Sequence, residues 1–361
     1  MNSKVHGDPS EPVRVAVVQS EPCWFDVEAG VKKTCNLIAE AAEGGAKLIA
    51  FPELWIPGYP NFIWAYTPKV ISEYYIKYYR NAVDIESPHM DRIRAAARKA
   101  KLMVVISIAE RDRGTLYMAQ IFIGPDGGIL SHRRKFKPTH FERVLFGDSS
   151  GDCTNNVVQT DLGRVGGLQC FEHLQPLLKY NTYSKGEQIH VAAWPNLFPP
   201  VGKMPFFNTV DSCTWASHVY AVEGSTFVLL ASHVQTEKGL RAHGFLDGDD
   251  SSERSHTAVI GGGFSEIIAP DGRTLVKSPS ASYDGLIYAN LDFDEIYMAK
   301  NTVDPVGHYS RPDIFQLHVN DKVNTCVVSP SQPEQVAHAS RYSELKDDPA
   351  QGIVDGVAGL E

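Results

Sequence analysis

The chain has 361 residues, of which 43% are hydrophobic and 21% are charged. This composition is typical of a globular protein and excludes a disordered or fibrous chain. The formal net charge of -9 argues against a nucleic-acid partner, because binding phosphate requires a basic surface. No apolar run approaches the ~18 residues that span a bilayer, and the N-terminal residues lack an apolar export segment. We therefore expect a cytoplasmic protein without membrane contact.

Extended and helical patterns alternate along the first half of the chain. In order, the predicted elements are a strand at 13–19, a helix at 27–42, a strand at 47–51, a helix at 90–101, a strand at 103–108 and a hairpin made by 116–123 and 129–132. The segment between the second strand and the second helix is aromatic-rich and is predicted to be irregular. Strand, helix, strand and hairpin in this order predict an α/β fold with mixed strand pairing.

The second half continues the same alternation. Its predicted elements are a strand ending at Gln169, a helix at 180–185, a strand at 189–193, a helix at 210–223 and a strand at 226–231. Residues 122–130 and 267–275 both place Pro-Asp-Gly between apolar strands, which is typical of a hairpin. The pair suggests a pseudo-symmetric core of two sheets, although Pro-Asp-Gly is common turn chemistry and coincidence is the alternative.

Domain organisation follows from the absence of a linker and from a change in composition after Leu317. We expect one domain over residues 13–317, preceded by an N-terminal extension at 1–12. Charged and small residues dominate from 318 to 361, which predicts a C-terminal tail that takes part in assembly or is partly disordered.

The number and spacing of the cysteines argue against disulfides and against a zinc site. Six cysteines are present, without a CxxC pair or a Cys/His spacing typical of zinc sites, so reduced thiols are expected. Cys170 lies between the predicted strand 164–169 and an amphipathic segment. A helix N-terminus at this point would lower the pKa of the thiol and expose it, as a nucleophile requires. The alternative is a small buried hydrophobe.

Two further ends of predicted strands carry groups that suit a thiol nucleophile. Glu53 lies in the loop 51–60 (FPELWIPGYP), whose apolar residues would raise its pKa and suit it to act as a general base. Lys135 follows the first hairpin in the basic run 132–142. The alternatives are a surface glutamate and a solvated or anion-binding basic edge. Together the three positions supply a base, a cation and a thiol.

These residues carry a family resemblance. The segments are FPELWIPGYP at 51–60, HRRKFKPTHFER at 132–143, GLQCFEHLQPLLKY at 167–180, HVAAWP at 190–195 and DPVGHYSRPD at 304–313. The chain resembles the nitrilase branch of the carbon-nitrogen hydrolase superfamily, and is similar to both the aliphatic and arylacetonitrile nitrilases and the cyanide hydratases. The similarity runs in order from about residue 13 to about residue 317.

The resemblance implies a single domain with a four-layer αββα sandwich. It also implies subunits that pair across helical faces and often extend into spirals or filaments. It assigns Cys170 as the nucleophile, Glu53 as the general base, Lys135 as the catalytic lysine and Glu142 as a supporting glutamate. Lys137 is the alternative lysine, but Lys135 has the family's spacing to Glu142. No metal and no organic cofactor are implied.

The resemblance also indicates walls for a substrate pocket. By analogy these are Trp55, Tyr59, Trp194 and Pro195, with core packing as the alternative reading. Phe171 follows the nucleophile where the family usually has tryptophan, so we expect the shape of the pocket, and with it the substrate class, to depend on this position.

Two weaker candidates remain from the residues themselves. His173 could suggest a Cys/His pair, but on a helix it would point away from Cys170. The run 261–263 consists of three glycines without the spacing of a phosphate loop, and is read as a flexible loop.

The expected function is hydrolysis of an organic nitrile to a carboxylic acid and ammonia by a nitrilase. A nitrile carbon is a weak electrophile, and a thiolate is nucleophilic enough to attack it and form a covalent thioimidate. Expulsion of the thiol from the later tetrahedral intermediate would instead release an amide, so cyanide hydratase or nitrile hydration is the alternative. An inactive, filament-forming structural or binding protein is the alternative from another class, and the intact Glu53, Lys135, Glu142 and Cys170 count against it.

Overall fold

The computed structural model describes residues 9, 11–200, 205–246 and 257–324. The strands are β1 Val13–Ser20, β2 Leu48–Ala50, β3 Met103–Asp112, β4 Thr115–Ile123, β5 Ile129–Arg134, β6 Val157–Thr160, β7 Gly163–Gln169, β8 Ile189–Ala193, β9 Phe227–His233, β10 Glu266–Ile268, β11 Thr274–Lys277 and β12 Gly285–Leu291. The α-helices are α1 Val27–Glu43, α2 Pro68–Arg80, α3 Pro88–Ala100, α4 Pro176–Ser184, α5 Val210–Gly224, α6 Glu237–Ala242 and α7 Asp294–Thr302.

The strands form two halves with the same pairing pattern. In the first half the order is β12-β1-β2-β3-β4-β5, and in the second it is β6-β7-β8-β9-β10-β11. Each half has one antiparallel pair, two parallel pairs and two antiparallel pairs, in that order. The Pro-Asp-Gly hairpins β4-β5 and β10-β11 occupy equivalent places. The predicted pseudo-symmetry is therefore confirmed.

Three apolar clusters separate the layers. In β1, Val13, Val15 and Val17 pack between the two halves of the sheet. The alternate residues Ala16 and Val18 pack against α1 and α3 on the outer face. In β8, Ala192 faces a third cluster that includes α5. Strands buried on both faces read as continuous apolar runs, and they place a helical layer outside each sheet. The predicted αββα sandwich is confirmed.

Several elements differ from the prediction. The segment predicted to be irregular contains α2, whose buried face has few residues and so gives a weak helical pattern. The helix predicted at 180–185 begins at Pro176, because proline is favoured in the first helical turn. Residues 261–263 form a loop, as expected, but hydrogen bonds tie its backbone to neighbouring segments. Gly261 exchanges two backbone hydrogen bonds with Gln235, and the carbonyl of Gly262 accepts from the amide of Leu197.

The ends of the chain fall mostly outside the described residues. Of the predicted extension, only Pro9, Glu11 and Pro12 are described, and of the predicted tail only 318–324. The amide of Gly151 donates to the carbonyl of Lys322 at 3.0 Å, so the start of the tail lies against the domain. Within the described ranges, no helix is both long and apolar enough to cross a membrane.

Candidate active site

The ends of β2, β5 and β7 bring three side chains together. Glu53 comes three residues after β2, Lys135 directly follows β5, and Cys170 directly follows β7. The carbonyl of Met118 in β4 accepts from the backbone amide of Lys135 at 2.7 Å and from Gln169 Nε2 at 3.1 Å. One carbonyl thus holds the lysine and the strand end that carries the thiol at the same place.

The charged groups form one buried cluster. Lys135 Nζ donates to Glu53 Oε1 at 2.9 Å and to Glu142 Oε2 at 2.8 Å. Atoms of Glu53, Glu142 and Cys170 lie within 4.8 Å of one another. Glu53 Oε2 is buried and has no hydrogen-bond partner among the described residues. Glu53 therefore keeps free acceptor capacity within a cluster that also contains the thiol.

Cys170 has a strained backbone conformation. Its φ is 49°, a left-handed value that costs a non-glycine residue about 1–2 kcal/mol. Leu54, directly after Glu53, and His140, two residues before Glu142, also have positive φ, at 50° and 47°. The loops that carry three of the four candidate residues are thus held in conformations that the surrounding structure must enforce.

The sequence-based expectation for the thiol is wrong in two respects. Cys170 begins a five-residue 3-10 turn rather than an α-helix, and its side chain is buried instead of exposed. Burial raises the pKa of the Cys170 thiol well above its usual value, and Glu53 adds to this increase more than Lys135 reduces it. The raised pKa favours the protonated thiol, so a nucleophile at this position would need a base that removes its proton.

Glu53, beside the thiol, has a raised pKa that suits it to take up this proton. Burial raises the pKa of Glu53 to about 8, the Lys135 ammonium opposes this increase and the Glu142 carboxylate reinforces it. Burial alone would lower the pKa of Lys135, but Glu142 and Glu53 raise it, so its ammonium remains charged. A carboxylate with a pKa near neutral pH is suited to accept and return a proton.

Local sequence explains the position of Glu142. Thr139 and Glu142 form a capping box, in which Glu142 Oε2 accepts from the amide of Thr139 at 2.6 Å. Its other oxygen accepts from the hydroxyl of Tyr59 at 2.9 Å. The T-x-x-E spacing at 139–142 is a recognisable signal for this capping arrangement. It would have placed Glu142 at the start of a turn without any family comparison.

Sequence reasoning missed a supporting ion pair between Glu172 and Arg133. Both side chains are fully buried, and Arg133 Nη2 donates to Glu172 Oε1 at 2.6 Å. The same carboxylate accepts from the amides of Phe136 and Gln169, each at 2.9 Å. Glu172 therefore connects the turn of the thiol to the segment that follows Lys135. Its spacing of three residues from Gln169 forms a second capping box.

His173 also supports the turn and, as expected, does not act on the thiol. Its Nδ1 lies 2.7 Å from the carbonyl oxygen of Cys170, and its Nε2 lies 2.9 Å from His190 Nε2. Because a carbonyl only accepts, His173 must carry its proton on Nδ1, and His190 must donate through Nε2. His190 Nδ1 then faces Glu187 Oε1 at 2.7 Å, so one proton is shared between this pair.

The cluster opens into a cavity whose empty volume, counted out to its mouth, is about 420 Å³. Its lining residues are Tyr59, Asn61, Trp64, Thr139, Glu142, Cys170, Phe171, Pro195, Asn196, Leu197, Asn208 and Thr257. Three of the predicted pocket residues, Tyr59, Phe171 and Pro195, are thus in the wall.

The two tryptophans predicted as pocket walls have another role. Trp55 lies in the cluster under α1 and donates its indole N–H to Thr34 Oγ1 at 2.8 Å. Trp194 is fully buried behind Phe171, with ring centroids 6.2 Å apart. For these two, the core-packing alternative describes the structure, because both rings are buried within the core clusters. Lys137 lies at the surface, paired with Asp148 at 2.6 Å, so it is not the lysine of the cluster.

Metal binding at this cluster is disfavoured by its own charges. Within the described part of the chain, the one group of potential ligands at suitable distances is Glu53, Glu142 and Cys170. The Lys135 ammonium already donates to both carboxylates, and it would repel a cation placed between them. The donor set fits an ammonium-bridged acid/base site better than a metal centre.

Comparison with known proteins agrees with this geometry. Residues 14–301 match the family model for carbon-nitrogen hydrolases. An arylacetonitrilase of Hypocrea virens is 45% identical over 327 residues, which cover 90% of this chain and 97% of the relative. An aliphatic nitrilase of Rhodococcus rhodochrous is 41% identical over 348 residues, which cover 96% and 91%.

Solved structures support the fold at lower identity. A carbon-nitrogen hydrolase from Helicobacter pylori matches with a TM-score of 0.65 and 18% identity, over 84% of this chain and 97% of that chain. A mutant amidase of Nesterenkonia AN1 from the nitrilase superfamily matches with a TM-score of 0.58 and 16% identity, over 84% and 100%. With the family model and the close relatives, they lead to one conclusion: the chain belongs to the carbon-nitrogen hydrolase family.

Proposed function

We propose that this protein is a nitrilase, which hydrolyses an organic nitrile to a carboxylic acid and ammonia through a covalent Cys170 intermediate. The observation that carries the proposal is the Lys135 ammonium between Glu53 and Glu142, with the Cys170 thiol within 4.8 Å of both carboxylates. The similarity to an arylacetonitrilase and an aliphatic nitrilase over about 90% of the chain supports the choice of a nitrile over other carbon-nitrogen substrates.

The first half of the reaction forms a thioimidate. Glu53 accepts the thiol proton through its unpaired Oε2 while Cys170 Sγ attacks the nitrile carbon. The proton then passes to the nitrile nitrogen, so that the product is a neutral thioimidate. Lys135 stabilises the negative charge that develops during attack, in a site from which water is largely excluded. Removal of one such donor costs roughly 10²- to 10³-fold in rate.

The second half consumes two molecules of water. Glu53 removes a proton from the first water, which adds to the thioimidate carbon and gives a tetrahedral intermediate. Protonation of its amino group and cleavage of the carbon-nitrogen bond release ammonia and leave a thioester. The second water then releases the acid and restores the thiol. If the carbon-sulfur bond breaks first, the product is an amide.

An assay with several substrates tests the proposal. The protein is incubated with aliphatic nitriles, arylacetonitriles, cyanide and the matching amides, and ammonia, acid and amide are quantified. Acid and ammonia from an organic nitrile are expected. Amide as the main product would favour the hydration alternative. A folded protein that converts none of these compounds would contradict every enzymatic reading and favour the structural one.

Replacement of the thiol tests the nucleophile. Cys170→Ala is expected to abolish turnover and to leave the circular dichroism spectrum unchanged, because the substitution removes a single small side-chain atom. Cys35→Ala is the matched control, since this half-buried thiol lies on α1, away from the cluster. Turnover by the Cys170 variant would show that another residue attacks the nitrile.

Assembly into a homodimer, and from dimers into larger spirals or filaments, is part of the proposal. Helix α5 buries Ala216 and Tyr220 in the core, yet it leaves Trp215 59% exposed and Val219 and Val222 each 47% exposed. An apolar stripe at 215, 219 and 222 on the outer face of a helix favours burial against another protein surface. Leu177 on α4 is a further exposed apolar side chain, at 70%.

The cellular location and the domain limits belong to the same proposal. The described cysteines are free thiols, which fits a reducing compartment such as the cytoplasm. A catalytic domain at 13–317 fits the family match over 14–301, with 1–12 and 318–361 as extensions outside the catalytic fold.

A further inference from the structure

Two buried amide side chains in the cavity wall each keep an unpaired polar atom. Asn61 is fully buried and Asn196 is 2% exposed, and both line the cavity that contains Cys170. Asn61 Oδ1 and Asn196 Nδ2 have no hydrogen-bond partner among the described residues. An unpaired buried polar atom costs about 1–3 kcal/mol, so this pair calls for a ligand group that satisfies both atoms.

A chain of hydrogen bonds fixes which atom of each amide is free. Gln235 Nε2 donates to the carbonyls of Thr257 and Val259, at 2.7 and 2.9 Å, so its Oε1 must be the acceptor. Asn61 Nδ2 donates to that Oε1 at 3.0 Å and to Asn196 Oδ1 at 3.4 Å. With both orientations fixed from one anchored side chain, the wall offers one acceptor, Asn61 Oδ1, and one donor, Asn196 Nδ2.

The backbone around the pair is rigid. Asn61 is the first residue of the 3-10 turn 61–64, and Asn196 comes three residues after the end of β8. The amide of Leu197 donates to the carbonyl of Gly262 at 3.0 Å. A Cβ at Gly262 would lie 2.9 Å from Asn196 Cβ. Because glycine has no side chain, the backbone at Gly262 can pack directly against this part of the wall. The two amides are thus held in place before any ligand binds.

From this arrangement we propose that Asn61 and Asn196 form a specificity subsite, which binds a neutral substrate group that both donates and accepts a hydrogen bond, such as a hydroxyl or a carboxamide. The proposal rests on the nitrilase function proposed above and adds a preference among nitriles. A hydroxyl donates to Asn61 Oδ1 and accepts from Asn196 Nδ2. A carboxylate has no proton for Asn61, and an ammonium has no lone pair for Asn196, so both are bound less well.

Hydroxynitriles paired with alkyl nitriles of equal length test the subsite. The probes are 3-hydroxypropionitrile against butyronitrile, with longer ω-hydroxynitriles against their own methyl counterparts, and kcat/KM is measured for each. At one chain length the wild type is expected to prefer the hydroxyl by about 10- to 100-fold, because two hydrogen bonds are gained and no buried atom is left unpaired. Turnover of the alkyl nitriles by itself reports the proposed nitrilase function.

Variants separate recognition from the intrinsic reactivity of the probes. Asn196→Leu is expected to reduce the hydroxyl-to-methyl ratio at that chain length to about one tenth of its wild-type value or less. Asn196→Asp keeps the acceptor for Asn61 and replaces the free donor by an anionic oxygen, so it is expected to favour an ω-aminonitrile over the hydroxynitrile. Asn208→Leu is the matched control, since Asn208 lines the same cavity without this pairing, and its ratio should equal that of the wild type.

Three results would overturn the subsite while leaving the nitrilase function intact. The first is a kcat/KM for the alkyl nitrile that equals that for the hydroxynitrile at every chain length. The second is a hydroxyl preference that persists unchanged in Asn196→Leu. The third is an equal loss of the preference in Asn208→Leu, which would attribute it to general polarity of the cavity. A permanently bound water that satisfies both amides would give the first result.

Discussion

In the proposed mechanism Glu53 determines the acidic limb of the pH-rate profile, and Glu142→Gln should move that limb. Glu53 has to be ionised to accept the thiol proton, and its pKa is raised to about 8. In the wild type kcat/KM should therefore fall about tenfold per pH unit below pH ~8, as Glu53 becomes protonated. Burial is the main cause of the raised pKa, and the Glu142 carboxylate adds to it.

The size of the shift follows from the separation of the two carboxylates. Their oxygens lie within 4.8 Å of each other. At an effective dielectric constant of about 20, two unit charges at this distance repel by about 3.5 kcal/mol, or about 2.5 pKa units. Removal of the Glu142 charge should lower the pKa of Glu53, so the acidic limb should move from about pH 8 to between about pH 5 and pH 6.

The assay is kcat/KM for one nitrile from pH 5 to pH 10, with circular dichroism at each pH to exclude unfolding. Tyr59→Phe is the matched control, because it removes a hydrogen bond to Glu142 without removing a charge. Its limb should stay near pH 8 even if its rate falls. A Glu142→Gln limb that stays near pH 8, or moves upward, would refute the assignment of this limb to Glu53.

Three further perturbations test the supporting structure and the assembly. Glu172→Gln leaves the Arg133 charge buried and unpaired, so urea unfolding should show a loss of about 3–5 kcal/mol; a loss below 1 kcal/mol would contradict this. Glu187→Gln can still donate to His190 Nδ1, so it should keep stability and rate, whereas Glu187→Leu should lose about 1–3 kcal/mol and turn over more slowly. Equal losses would mean that the pair is ionic. Trp215→Glu places a charge in the exposed apolar stripe, and light scattering should show dissociation; an unchanged mass would place the interface elsewhere.

Local sequence patterns predicted much of the architecture. The apolar strands and the matched Pro-Asp-Gly hairpins are encoded by side chains only a few residues apart, so periodicity reveals them directly. Helix α2 was missed, because only Ile71 and Tyr78 on it are buried and its pattern is weak. Cys170 was expected at an α-helix with a lowered pKa, but the short 3-10 turn and the depth of burial depend on contacts that a local pattern does not contain.

The sequence by itself predicted Glu53, Lys135 and Cys170 at the ends of three strands, as a candidate base, cation and thiol. Tertiary structure decided their distances, because Lys135 and Glu53 are 82 residues apart and meet only when β2 and β5 take their places in the sheet. It also decided the protonation of the thiol and the glutamate, which depends on burial and on neighbouring charges from other strands. The wall facing the substrate likewise arises from folding, which turned Trp55 and Trp194 into the core and left the two asparagine amides facing the cavity.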